Sequence, residues 1–108
     1  MANNFTRYLN KDVGTSAATV VTVGASTQTT VIGLSFANTS ASPITVSAYV
    51  SVSGTDYYLI KSATVPVGSS LVVVGGDQKF VMVTGDALKV ISSAAASTDV
   101  ITSVLNIT

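Results

Sequence analysis

The chain has 108 residues, no formal net charge, and only 9% charged residues, against about 25% in an ordinary soluble domain. Valine, threonine and serine dominate, and glutamate, histidine, cysteine and tryptophan are absent. Imidazole bases, thiol nucleophiles, Cys/His zinc sites and disulfides are therefore excluded within the chain. One domain is expected at this length, with enough core to fold without staples.

Residues 1–14 differ from the rest. They carry Arg7 and Lys11 and set Phe5, Tyr8 and Leu9 on a polar background. The reading is a short N-terminal arm ending at Gly14. Its aromatics are costly to leave in water, so Phe5, Arg7, Tyr8 and Leu9 are candidate partner-binding residues. A frayed terminus is the bland alternative. The start lacks a basic and an apolar signal region, so synthesis in a cytoplasm without export is expected.

From there the pattern is one of short strands, and residues 15–108 are expected to form the folded domain. Ala17–Val23 is the first. Thr29–Asn38 follows, with Ile32, Leu34 and Phe36 expected on one face. The run Ile44, Val46, Ala48, Val50, Val52 alternates with Thr45, Ser47, Tyr49 and Ser51, the period of a half-buried strand. Ser53-Gly54-Thr55-Asp56 reads as the loop of a hairpin leading into Tyr57–Lys61. Val65–Gly68 turns the chain. Ser70–Val74, Lys79–Thr84, Ala87–Ser92 and Val100–Ile107 complete about eight strands. Their spacing near ten residues predicts an all-β, antiparallel β-sandwich, with jelly-roll and immunoglobulin-like topologies both open. The outer faces of the strands are expected to be Ser and Thr.

Alternation sends Tyr57 and Tyr58 to opposite faces, one into the core and one outward. Tyr49 and the outward ring would lie side by side across the hairpin, so Tyr49, Tyr57 and Tyr58 join the candidate contact residues. Asp56, Asp77, Asp86 and Asp99 each stand just before a strand. They suit calcium in principle, but turn chemistry explains them better. Gly75-Gly76 belongs to no nucleotide-binding pattern. Serine is plentiful, yet no histidine can activate it and no S-x-x-K motif occurs. No catalytic, cofactor or metal residue is assigned, and an enzyme is not expected. Three Asn-x-Ser/Thr sequons, at Asn4, Asn38 and Asn106, are read as accidental, since about one or two arise by chance in so Ser/Thr-rich a chain and no signal region is present. The five cations form no patch for nucleic acid, and no apolar run is long enough to span a membrane.

Several segments together resemble a family of small virion structural proteins of tailed bacteriophages. They are Asn3–Tyr8, Gly14–Ser16, Val31–Thr39, Gly54–Lys61, Val65–Gly68, Gly75–Lys79 and Ser103–Thr108. The likeness spans nearly the whole chain, although each segment alone is a strand or turn signal. Asn106 stands where members favour Glu. The resemblance implies a β-sandwich subunit on the virion, most plausibly a head decoration, or cement, protein. Its partners would be the major capsid protein or other virion proteins, and it would form a homo-oligomer, with a trimer favoured. Attachment to neck, tail or fibre, or a carbohydrate- or host-surface-binding module, are the alternatives.

Overall fold

The computed structural model describes residues 3–75 and 79–108. Asp77 and most of the Gly75–Gln78 turn therefore lie outside the described residues. The strands are β1 (Asn3–Val13), β2 (Ala18–Thr22), β3 (Gln28–Asn38), β4 (Ile44–Val52), β5 (Thr55–Val65), β6 (Ser70–Val74), β7 (Phe80–Val83), β8 (Ala87–Ser92) and β9 (Thr98–Ile107). The expected eight agree with β2 to β9 to within a few residues at most ends. The hairpin loop shortens to Ser53-Gly54, and β5 runs on to Val65. Both loop residues have positive φ, 50° and 85°, the combination that a tight two-residue hairpin matched to strand twist requires.

The strands form two antiparallel sheets. One has the order β1-β9-β3-β6, with β7 pairing β3 beyond β6; the other has the order β2-β8-β4-β5. Pairing is nested: β1 with β9, β2 with β8, β3 with β6 and β7, β4 with β5. This is the arrangement of a rolled-up hairpin, a jelly roll. The immunoglobulin-like alternative is thereby removed.

Between the sheets lies a core centred on Phe36, Leu34, Met82 and Leu88, filled out by valines 31, 46, 65, 74, 90, 100 and 104. Two sheets with apolar inner faces pack about 10 Å apart, and β-branched side chains fill that gap with little rotamer freedom to lose. Within β3 the inward set is Thr29 and Val31, then Leu34, Phe36 and Asn38. A register shift against β9 between Val31 and Gly33 changes the phase. Ile32, expected to share a face with Leu34 and Phe36, sits in that bulge and is only half-buried. An extra residue in one strand moves every later side chain to the other face.

The N-terminal segment is not an arm. Asn3 to Val13 pair with Ile107 to Thr98 along their whole length and form an outer strand of the five-stranded sheet. Phe5, Arg7, Leu9 and Lys11 point outward, while Tyr8 packs on the core and Val13 is buried. The outward residues, Phe5, Arg7, Leu9 and Lys11, mix apolar and charged side chains, as an edge strand can. The segment's low apolar content made it look like a free terminus.

Side chains also hold the loops. Asn38 is buried at the end of β3. Its Nδ2 donates to the carbonyls of Ser42 (2.9 Å) and Val65 (3.1 Å), and its Oδ1 accepts from Ser40 N and Oγ. So placed, Asn38 ties the β3–β4 loop to the end of β5. Near the other end of the chain Ser97 Oγ donates to the Ala94 carbonyl at 2.7 Å and lies 2.6 Å from Ser92 Oγ. Gly14 passes within 3.2 Å, measured from an added Cβ, of the Ala95–Ala96 backbone. Its carbonyl accepts from Ser92 N, so a side chain there would force two loops apart.

Candidate functional site: the outer face of the five-stranded sheet

The two outer faces of the sandwich differ. On the four-stranded sheet, Thr45 and Ser51 alternate with the inner residues of β4, in keeping with the Ser/Thr surface expected from the sequence, while Ser47 in the same phase is buried and accepts from Ser62 N. On the five-stranded sheet that expectation fails. Phe5, Leu9, Val72, Val81, Val83 and Ile101 all stand on its outer face, between 51% and 77% exposed. The registers line them up in rows across the strands. Phe5 faces Leu105, which faces Thr30, which faces Val81. Leu9 faces Ile101, which faces Ser35, which faces Val72. Phe5–Leu105 and Leu9–Ile101 are directly opposed apolar pairs, and Thr30 and Ser35 separate them from the valines of β7 and β6.

Between those two rows lies a third, in which Arg7 faces Ser103, which faces Gly33. Beside this row, towards β1, lies a shallow depression of about 540 Å³, lined by Phe5, Thr6, Arg7, Ile32, Ser103 and Val104. A second hollow, of about 300 Å³, lies beside Leu9, Lys11, Asp99 and Ile101. Phe5, though largely exposed, thus also forms one wall of the first hollow.

Among the residues of the described strands, charge on this face lies along its β1 side, while Lys79 just precedes β7. A bulge between Asn10 and Val13 puts both Lys11 and Asp12 opposite Asp99, and Asp12 takes a φ of 55° to do so. Lys11 Nζ donates to Asp99 Oδ2 at 2.9 Å, and Asp12 N donates to Oδ1 at 3.2 Å. The Lys11 hydrogen bond, then that of the Asp12 N–H, holds the Asp99 carboxyl below the usual carboxylate range. The same contact pushes the Lys11 ammonium up. Asp99 is therefore more than a turn residue. Asp86 does have the turn role: its Oδ2 accepts from Val83 N at 3.0 Å.

Of the seven residues singled out in the sequence, Phe5, Arg7 and Leu9 share the apolar face, and Tyr8 turns away from it. Tyr49 and Tyr58 meet elsewhere, on the outer face of the opposite sheet. Their ring centroids are 5.0 Å apart, and Lys61 Nζ sits 5.0 Å from the Tyr58 centroid. Burial, then the Asp56 charge, pushes the Tyr49 phenol up. Contrary to expectation neither member of the Tyr57-Tyr58 pair enters the core; both are exposed. Along β4 the inner positions Ile44, Val46 and Ala48 are buried, whereas Val50 and Val52 are only half-buried. The hairpin tip outruns its cover, and Tyr57 lies on that tip, opposite Val50.

Val72, Val81, Val83 and Ile101 were not anticipated as contact residues. The signal was present: Leu71–Val74 and Phe80–Val83 are unbroken apolar runs. A strand with one wet face alternates, and one without alternation is apolar on both faces. Among the described residues no cluster of three or more potential metal ligands occurs.

No protein family matches this sequence, and no curated protein does. A solved structure from Bacillus endospore appendages, described as forming a novel family of disulfide-linked pili, is similar to this chain. The TM-score is 0.56 at 21% identity, over 99% of this chain and 87% of that one. At that identity the likeness shows the β-sandwich fold. Without a cysteine this chain has no means of disulfide linkage.

Proposed function

We propose that the chain is a structural subunit of a multi-copy assembly, a virion protein of the head-decoration type that binds the phage shell and stabilises it. The observation that carries this reading is the outer face of the five-stranded sheet. Six large apolar side chains stand exposed there on rigid strands, and the charges borne by the described strands lie along the β1 side. A monomeric soluble protein rarely keeps such a patch uncovered. The sequence resemblance to small phage virion proteins, over nearly the whole chain, supports a phage particle as that assembly. The appendage protein of similar fold is itself a structural protein.

The mechanism is one of linkage. A subunit that binds the assembled shell, and not its separated pieces, stabilises the shell by mass action, and many copies multiply the effect. A jelly-roll body suits this, because its contact residues sit on strands locked by a shared core and lose little freedom on binding. The reading is tested by mixing the protein with particles that lack it. Co-sedimentation in numbers comparable to the major shell protein, with shells that withstand heat or chelation better, is the expected result. Binding at only a few copies per particle would place it at the neck or tail instead. No binding would overturn it.

A further inference from the structure

We infer that the apolar outer face of the five-stranded sheet is covered by the same face of a second copy of this chain, in a two-fold, face-to-face dimer. The inference rests on the reading of the chain as a structural subunit and names the partner of its exposed face.

Three observations point to a second copy. The first is shape. Phe5 is largely exposed and stands beside the hollow that it lines together with Arg7 and Ser103, so knob and hole adjoin on one surface. A two-fold axis running between two such faces sets each Phe5 into the other copy's hollow. Only a self-complementary surface can do this, and self-complementarity is what a two-fold contact demands.

The second is area. The sheet is four strands wide, counting β6 and β7 as successive partners of β3, and β3 spans eleven residues. At about 4.8 Å between strands and about 3.4 Å per residue the footprint is roughly 650 Å². Two footprints total about 1,300 Å², above the ~1,000 Å² expected of a specific interface.

The third is charge. The chain has no net charge, so copies do not repel one another. On the face itself Lys11 and Asp99 already neutralise each other. Arg7 is on the outermost strand, where its stem can line the hollow while the guanidinium reaches water at the rim. The centre of the contact, Leu105, Ile101, Ser103 and Gly33, is uncharged.

Sedimentation equilibrium on the full chain tests the inference, with the fold of each variant checked by circular dichroism. The wild type is expected to be a dimer. Ile101→Lys places an unpaired charge in the contact and is expected to weaken dimerisation by about 100-fold or more. Phe5→Ala should weaken it without adding charge. Because the chain has no cysteine, Ser103→Cys introduces a single thiol, and a bulky maleimide on it should block the hollow and weaken dimerisation, whereas the same label on Ser51→Cys on the opposite sheet should not. Val81→Asp serves in place of Ile101→Lys if that variant fails to fold. A monomer at high concentration would overturn the inference. So would a trimer, which needs two different patches, or a dimer indifferent to these changes. A monomer that still binds particles would sink the dimer and leave the structural-subunit reading standing; a dimer that binds none would do the reverse.

Discussion

Lys11 Nζ lies 2.9 Å from Asp99 Oδ2, joining residues 88 positions apart in the chain. The pair marks where the first strand bulges against the last: Lys11 and Asp12 together oppose the single residue Asp99. It is well exposed on the lysine side, 74% against 29% for Asp99, so its effect on stability is modest and sensitive to salt.

The pH dependence follows from the two shifts. The Asp99 carboxyl titrates below its ordinary 3.8, so its stabilisation is complete above that value and is lost as pH falls through the lowered folded value. The Lys11 shift is upward, so its share is present below about 10.5 and is lost as pH rises through the raised one. Asp99→Asn should therefore be less stable than wild type at neutral pH. The gap should close as pH falls from about 4 downward, where the wild-type carboxyl becomes neutral too. Urea denaturation at a series of pH values checks this. A gap that stays constant into acid would show that charge is not its cause.

Thr102 is fully buried on the inner side of β9, and its hydroxyl has no hydrogen-bond partner among the described residues. A buried unpaired hydroxyl costs free energy, and valine has nearly the same shape with a methyl in its place. Thr102→Val should raise stability by about 1 kcal/mol and the melting temperature by about 4 °C or more. Thr102→Ala should lower both, since it leaves a cavity. A Val variant no more stable than wild type would mean that the hydroxyl has a partner.

Removing residues 1–12 should cost more than a docking device. The deletion strips β1 from β9, takes Tyr8 off the core, and turns the interior strand β9 into an exposed edge open to aggregation. A loss of more than about 3 kcal/mol, with aggregation, is expected. Scanning calorimetry decides: a truncated chain that melts at the wild-type temperature would restore the view of this segment as a free arm.

How much of this was legible in the sequence depends on the range of the interaction involved. The strand Ile44–Val52 announces itself by alternation, because one wet and one dry face are written into adjacent residues. The Ser53-Gly54 turn announces itself by glycine. Neither needs knowledge of the rest of the chain. The β1 strand was misread because what makes it a strand is β9, more than eighty residues away. Ile32 was misplaced because a bulge depends on the partner strand's register. The Tyr49–Tyr58 contact was foreseeable, since a short hairpin makes it nearly local, but the exposure of both Tyr57 and Tyr58 depends on where the opposite sheet ends.

By itself, then, the sequence determined an all-β sandwich of short antiparallel strands, with a surface almost empty of charge. β-branched residues in excess, no glutamate, and turn residues about every ten positions leave little else. Tertiary structure decided the topology, because both sandwich types use the same strands and differ only in which distant ones pair. It also decided the character of the two outer faces. Low overall charge predicts a uniform Ser/Thr exterior. Folding instead makes the faces unequal: the exposed Phe5, Leu9, Val72, Val81, Val83 and Ile101 gather outside the five-stranded sheet, and the tyrosine cluster stands outside the other. The row that aligns Phe5, Leu105 and Val81 exists only when β1, β9, β3 and β7 lie side by side.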